Sequence, residues 1–100
     1  MVATRYSIEE LKEIITPIAE KYQISKVYLF GSFARGDYNE QSDVDLRIEK
    51  GELKGMFALC GFYTEVEEAL QMKVDVVTTG SLEDDFLREI EKDEVMLYAG

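Results

Sequence analysis

Histidine is missing from this chain of 100 residues, and cysteine and proline each occur once. Without an imidazole there is no histidine general base, no Ser-His-Asp triad and none of the usual histidine-containing zinc sites. Acid–base or metal chemistry must fall to carboxylates. The one cysteine, Cys60, cannot close an intramolecular disulfide, so a cytoplasmic location is expected. It sits in an apolar stretch and reads as a small buried hydrophobe. No apolar run approaches the length of a membrane span, and the N-terminus lacks signal-peptide character. Repeats, linkers and low-complexity segments are absent, and 100 residues make one domain, 1–100, with a single core and no separate acceptor domain. Basic residues are few: 11 Lys and Arg stand against 21 Asp and Glu, a formal net charge of −10. Such a surface is a poor match for nucleic acid, whose affinity comes from Lys and Arg on phosphates, and a better match for a basic protein partner.

What is present is a set of amphipathic segments around two short apolar runs. Ser7 and Glu10 form a capping-box pattern. Ile8, Leu11, Ile14, Ile15, Ile18 and Tyr22 then follow helical spacing, with Pro17 expected to kink or split the helix near Thr16. Residues 52 to 71 read as a second helix with Met56, Leu59, Tyr63, Val66 and Leu70 on its inner stripe, although Gly55 and Gly61 weaken it. Ser81 can cap a third helix with Leu82, Phe86, Leu87 and Ile90 facing inward. Val27 to Phe30, Val44 to Ile48 and Lys73 to Val77 read as strands, and Val95 to Tyr98 can add a short final one. The expected fold class is α/β, a small mixed β-sheet with helices packed on one face.

The informative stretch lies between the first two strands. Gly31-Ser32 ends the Val27–Phe30 run, and ten residues separate it from Asp43-Val44-Asp45. Gly31 lets the backbone approach a ligand, while Ser32 and the amides after it can face an anion such as a phosphate. Asp43, Asp45 and Arg47 alternate with Val44, Leu46 and Ile48. In a strand this puts both carboxylates on one face, roughly 7 Å apart along the backbone. Two carboxylates that close repel unless a cation lies between them, and hard oxygen ligands suit Mg²⁺ or Mn²⁺. Gly-Ser or Asp-x-Asp alone is commonplace. All four residues at this spacing should arise by chance in roughly one chain in a thousand of this length, so the combination carries weight. Asp75 inside Lys73-Val74-Asp75-Val76-Val77 is a third carboxylate in a strand, where aspartate is disfavoured.

The Gly31-Ser32 pair, the Asp43-x-Asp45 triplet and the later strand with Asp75 resemble the polymerase-β-type nucleotidyltransferases. The small size, Ala34-Arg35-Gly36 and Ser42 resemble the minimal nucleotidyltransferase (MNT) branch, over residues 8 to 98. The resemblance implies a nucleotidyltransferase fold and AMP transfer from ATP to a hydroxyl, a tyrosine of a partner HEPN-domain RNase toxin. The chain would then be the antitoxin. It implies two Mg²⁺ ions held by the catalytic Asp43, Asp45 and Asp75, with Gly31, Ser32 and Arg35 on the nucleotide. Arg47 shares the aspartate face and could steady a triphosphate or pair with Asp45. Two other roles stay open: an antitoxin acting by occlusion alone, and a transferase for a small-molecule or RNA acceptor.

Overall fold

The computed structural model describes residues 6–36 and 43–100. Helix α1 spans Ile8–Lys21 and opens on a complete capping box. The Glu10 amide donates to Ser7 Oγ at 3.1 Å and the Ser7 amide to Glu10 Oε1 at 2.9 Å. Each bond satisfies an amide that the first helical turn leaves without an acceptor. Leu11, Ile15 and Ala19, spaced four apart, form its buried face. Of the kink or split expected at Pro17, the split does not occur: α1 is continuous from Ile8 to Lys21. Pro17 and Glu13 both lie on the exposed side, so the carbonyl deprived of its amide partner faces water.

Strands β1 (Lys26–Phe30), β2 (Val44–Glu49), β3 (Val74–Thr78) and β4 (Val95–Ala99) form one sheet in the order β3-β2-β1-β4. β1 pairs antiparallel with β2 and β4, and β2 pairs parallel with β3 through the helical crossover of α3 (Gly55–Leu70). Val44, Leu46 and Ile48 point to the face covered by α1 and α3, where Leu11, Ile15, Phe62, Val66 and Leu70 close the core. Burying such side chains stabilises the fold by about 1.5–3 kcal/mol each.

The buried face of α3 keeps Val66 and Leu70 of the expected stripe but not Met56 or Tyr63. Phe62, Val66 and Leu70 are fully buried, whereas Met56 is 71% and Phe57 97% exposed, and Tyr63 and Cys60 also meet solvent. Gly61 accounts for the rotation: a Cβ there would lie 2.7 Å from Tyr22 Oη, so its bare backbone packs on α1 and turns the adjacent Phe62 inward. The expected burial of Cys60 is overturned for the same reason.

Helix α4 (Asp84–Glu91) begins after Glu83 rather than at Ser81, which belongs to a 3₁₀ turn over Thr79–Ser81. That turn is tied down by Thr79 Oγ1, which donates to the Ile48 carbonyl at 3.2 Å and accepts from Arg47 Nη1 at 2.8 Å. The chain therefore finishes its connection to the sheet before it can coil. α4 approaches the face opposite α1 and α3: Phe86 meets Phe30 edge-to-face at 6.5 Å, and Phe30 pairs with Asp45 across the β1–β2 ladder. Of the expected inner residues, Ile90 is buried and Phe86 stays 47% exposed.

Candidate active site

Three strand ends build the site. β1 delivers Gly31, which leads into the four-residue helix α2 (Ser32–Arg35). Phe33 is buried and Ala34 packs against the core, so this turn is anchored from beneath. Gly31 has φ of +77° and caps α2, and Gly36 closes it in the left-handed region with its amide on the Ser32 carbonyl at 2.9 Å. A Cβ on Gly31 would stand 2.3 Å from Asp45 Oδ2. The turn and the carboxylate are therefore in direct contact, and both the backbone angle and the space demand glycine.

β2 supplies Asp45, with Asp43 just before the strand, and β3 supplies Asp75. In the parallel β2–β3 ladder Asp45 is the register partner of Asp75, so the third carboxylate arrives beside the second, as the sequence suggests. Neighbouring strands lie about 4.8 Å apart, which leaves these carboxylates little room to avoid one another. The consequence is electrostatic. The Asp45 carboxyl is pushed up to about 6, first by burial, then by Asp75 and by Asp43, while Arg35 pulls it down.

Gly31, Arg35, Asp43, Asp45 and Asp75 thus share one region, with Ser32 next to Gly31. Ser42, like the rest of residues 37–42, lies outside the described residues. Among the described residues no three His, Cys, Asp or Glu side chains form a ready-made cation cage. The donor chemistry nonetheless fits a hard divalent cation. It offers only carboxylate oxygens from or beside adjacent strands, one of them raised in pKa first by burial and then by its neighbours' charge. Asp43, Asp45 and Asp75 are the residues that could hold such an ion.

Arg47 does not join them. It is only 4% exposed and forks onto Glu94, with Nε–Oε2 at 2.9 Å and Nη2–Oε1 at 2.5 Å. Its guanidinium also lies 4.2 Å from the Tyr28 ring centre. Neither expected partner, Asp45 or a triphosphate, is the one it takes. It ties the α4–β4 connection to the sheet two residues along β2 from Asp45. Tyr63, read from sequence as core, is instead exposed on α3. Its phenol is pushed up first by burial, then by Glu67 and by Asp75 and Asp43. No local pattern marks it, because its place depends on how α3 packs on β3.

A mixed sheet with aspartates on adjacent strands beside a Gly-Ser turn is the architecture of a nucleotidyltransferase. The chain belongs to that family: residues 12–100 match the model described as Polymerase beta, Nucleotidyltransferase. A Methanocaldococcus jannaschii protein provisionally named a protein adenylyltransferase is 40% identical over 76% of this chain and 82% of its own length. The protein adenylyltransferase MntA of Thermococcus cleftensis is 26% identical over 89% of this chain and 94% of its own. Among solved structures, a provisionally assigned minimal nucleotidyltransferase shares the fold at a TM-score of 0.79, with 23% identity over 92% of this chain and 97% of that one. A toxin–antitoxin structure with AMP-PNP matches at 0.76, with 20% identity over 89% of this chain and 73% of that one. Among the described residues no helix is long and apolar enough to cross a membrane.

Proposed function

We propose that this chain, acting as one cytoplasmic domain, transfers AMP from ATP to a hydroxyl of a partner protein, a tyrosine of a HEPN-type RNase toxin, and so serves as that toxin's antitoxin. The observation that carries the reading is the contact of the Gly31 turn with Asp45, which itself pairs with Asp75 across β2–β3. This arrangement sets bare backbone directly against a carboxylate pair. The relatives named as protein adenylyltransferases and the toxin–antitoxin neighbours support the choice of acceptor and partner.

In the proposed reaction the acceptor hydroxyl gives its proton to a carboxylate of the site, its oxygen bonds to the α-phosphorus, the bond from that phosphorus to the bridging oxygen breaks, and pyrophosphate leaves. Gly31 and Ser32 cradle the β- and γ-phosphates, and the exposed Arg35 offers a guanidinium to their oxygens. Asp43, Asp45 and Asp75 would hold divalent cations, two Mg²⁺ by family resemblance, whose charge offsets that of the phosphates. Asp75 is the exposed member of the three and faces the incoming hydroxyl. Rate enhancement then rests on positioning and charge complementarity. The chain's net charge of −10 suits a basic partner that brings the acceptor in. Incubating the chain with the toxin encoded beside it, labelled ATP and Mg²⁺ tests this. Label should pass to the toxin and be lost with Asp43→Ala; transfer indifferent to that change refutes the assignment.

A further inference from the structure

Between α4 and the Gly31 turn lies a cavity of about 300 Å³, lined by Phe30, Gly31, Arg35, Phe86, Glu89, Ile90 and Asp93. Its volume is at the low end of the ~300–1,000 Å³ typical of small-molecule sites, the size for one nucleoside. Phe30 and Ile90 are buried and form an apolar floor, while Phe86 packs on Phe30 and keeps nearly half of its surface open. The cavity is polarised. Arg35 and Gly31 lie at one end, beside Asp45, and the carboxylates of Glu89 and Asp93 belong to the other element, α4 and the turn after it. An aromatic surface next to an apolar floor takes a planar ring. Carboxylates on the wall repel phosphate and accept from an amino group; Glu89 shares its oxygens with Lys92, whose Nζ stands 3.4 Å from each. A nucleotide can satisfy both ends only with its phosphates toward Gly31 and Arg35 and its base toward α4.

We propose that this cavity receives the nucleobase of the donor nucleotide, its ring against Phe86 and its exocyclic amino group donating to Glu89 or Asp93. The assignment rests on the nucleotidyl-transfer reading and adds what that reading leaves open, the means of base recognition. Phe86 and Glu89 belong to a helix distant in sequence from the Gly-Ser and Asp-x-Asp residues, so base choice and phosphate handling are separable.

The separation can be measured by calorimetry on the whole chain in Mg²⁺ buffer, with ATP, purine riboside triphosphate (which lacks the 6-amino group) and inorganic tripolyphosphate. Phe86→Ala should weaken ATP about tenfold and leave tripolyphosphate unchanged, since base stacking is lost and phosphate contacts are kept. Phe86→Leu, which preserves the apolar contact with Phe30, should fall between and guards against misfolding. Wild type should favour ATP over purine riboside triphosphate about fivefold, and Glu89→Gln with Asp93→Asn should abolish that preference. Equal weakening of ATP and tripolyphosphate by Phe86→Ala, or weakening of neither, overturns the base site while leaving the phosphate site standing. A wild-type chain that binds none of the three overturns both.

Discussion

Gly31 and Asp45 are in contact across the β1–β2 ladder, so closely that a methyl group on Gly31 would sit 2.3 Å from Asp45 Oδ2. The Gly31 turn and the Asp45 carboxylate are thus one unit, and a change in either is felt by the other.

Gly31→Ala should separate chemistry from folding. With φ +77° and ψ −155°, Gly31 sits in a region open essentially to glycine alone, which costs an alanine about 1–3 kcal/mol, and melting temperature shifts by roughly 4–8 °C per kcal/mol in a chain of this size. The atom it strikes is the end of a side chain, which can rotate away. The chain should therefore stay folded by circular dichroism, melt several degrees lower and lose nucleotidyl transfer about a hundredfold. Retained activity would show that Asp45 does not need its present position.

The raised pKa of Asp45 gives a pH dependence in divalent-free buffer. The folded value is about 6 against 3.8 for an unperturbed aspartate, so the folded state binds this proton more tightly than the unfolded state does. Its stabilising contribution is complete below the unfolded value and is lost as pH rises through about 6. Discounted for the solvent that reaches this half-buried group, the loss is about 1 kcal/mol. Asp45→Asn should raise the melting temperature in EDTA at pH 7.5, with the gain shrinking toward pH 5. Adding Mg²⁺ at pH 7.5 should raise wild type and leave the variant nearly unmoved. A gain independent of pH would contradict this origin.

Arg47 and Glu94 form a buried fork that holds the α4–β4 connection on the sheet. Removing one partner strands the other's charge in the interior, at a cost of about 3–5 kcal/mol. Arg47→Ala should therefore lower stability to denaturant by that amount, and Arg47→Ala with Glu94→Ala should cost less than the sum of the single changes. Strict additivity in such a cycle would mean the two side chains do not depend on each other.

The face of α3 can be checked with two phenylalanines. Phe57 is 97% exposed and Phe62 is fully buried. Phe57→Ala should change unfolding free energy by less than about 0.5 kcal/mol, whereas Phe62→Ala should cost about 3–5 kcal/mol. Urea titrations followed by circular dichroism would report both, and a reversed order would place the helix the other way round.

Much of this was legible from residues. The capping box of Ser7 and Glu10, the alternation through Asp43 to Ile48, the strand around Asp75 and the terminal strand all rest on neighbours a few positions apart, and the structure has them. Spacing alone puts Met56 and Tyr63 on the inner stripe of α3 because both helical faces carry apolar residues. Hydrophobic spacing could not choose between them. Gly61 could, but only with Tyr22 of another helix against it. The start of α4 was misplaced because Thr79, not a cap, sets where the chain leaves the sheet.

The sequence by itself determined the side chains on offer: carboxylates in place of histidine, a glycine at the end of the first strand, and aspartates alternating with core residues. These follow from side-chain type and from backbone geometry that each short segment carries with it. Only the tertiary structure decided that Asp75 is the register partner of Asp45, that Gly31 presses on that same carboxylate, and that Arg47 serves Glu94, 47 residues away, rather than the site. Parity along a strand gives the face on which a side chain lies. What shares that face depends on packing between segments far apart in the chain.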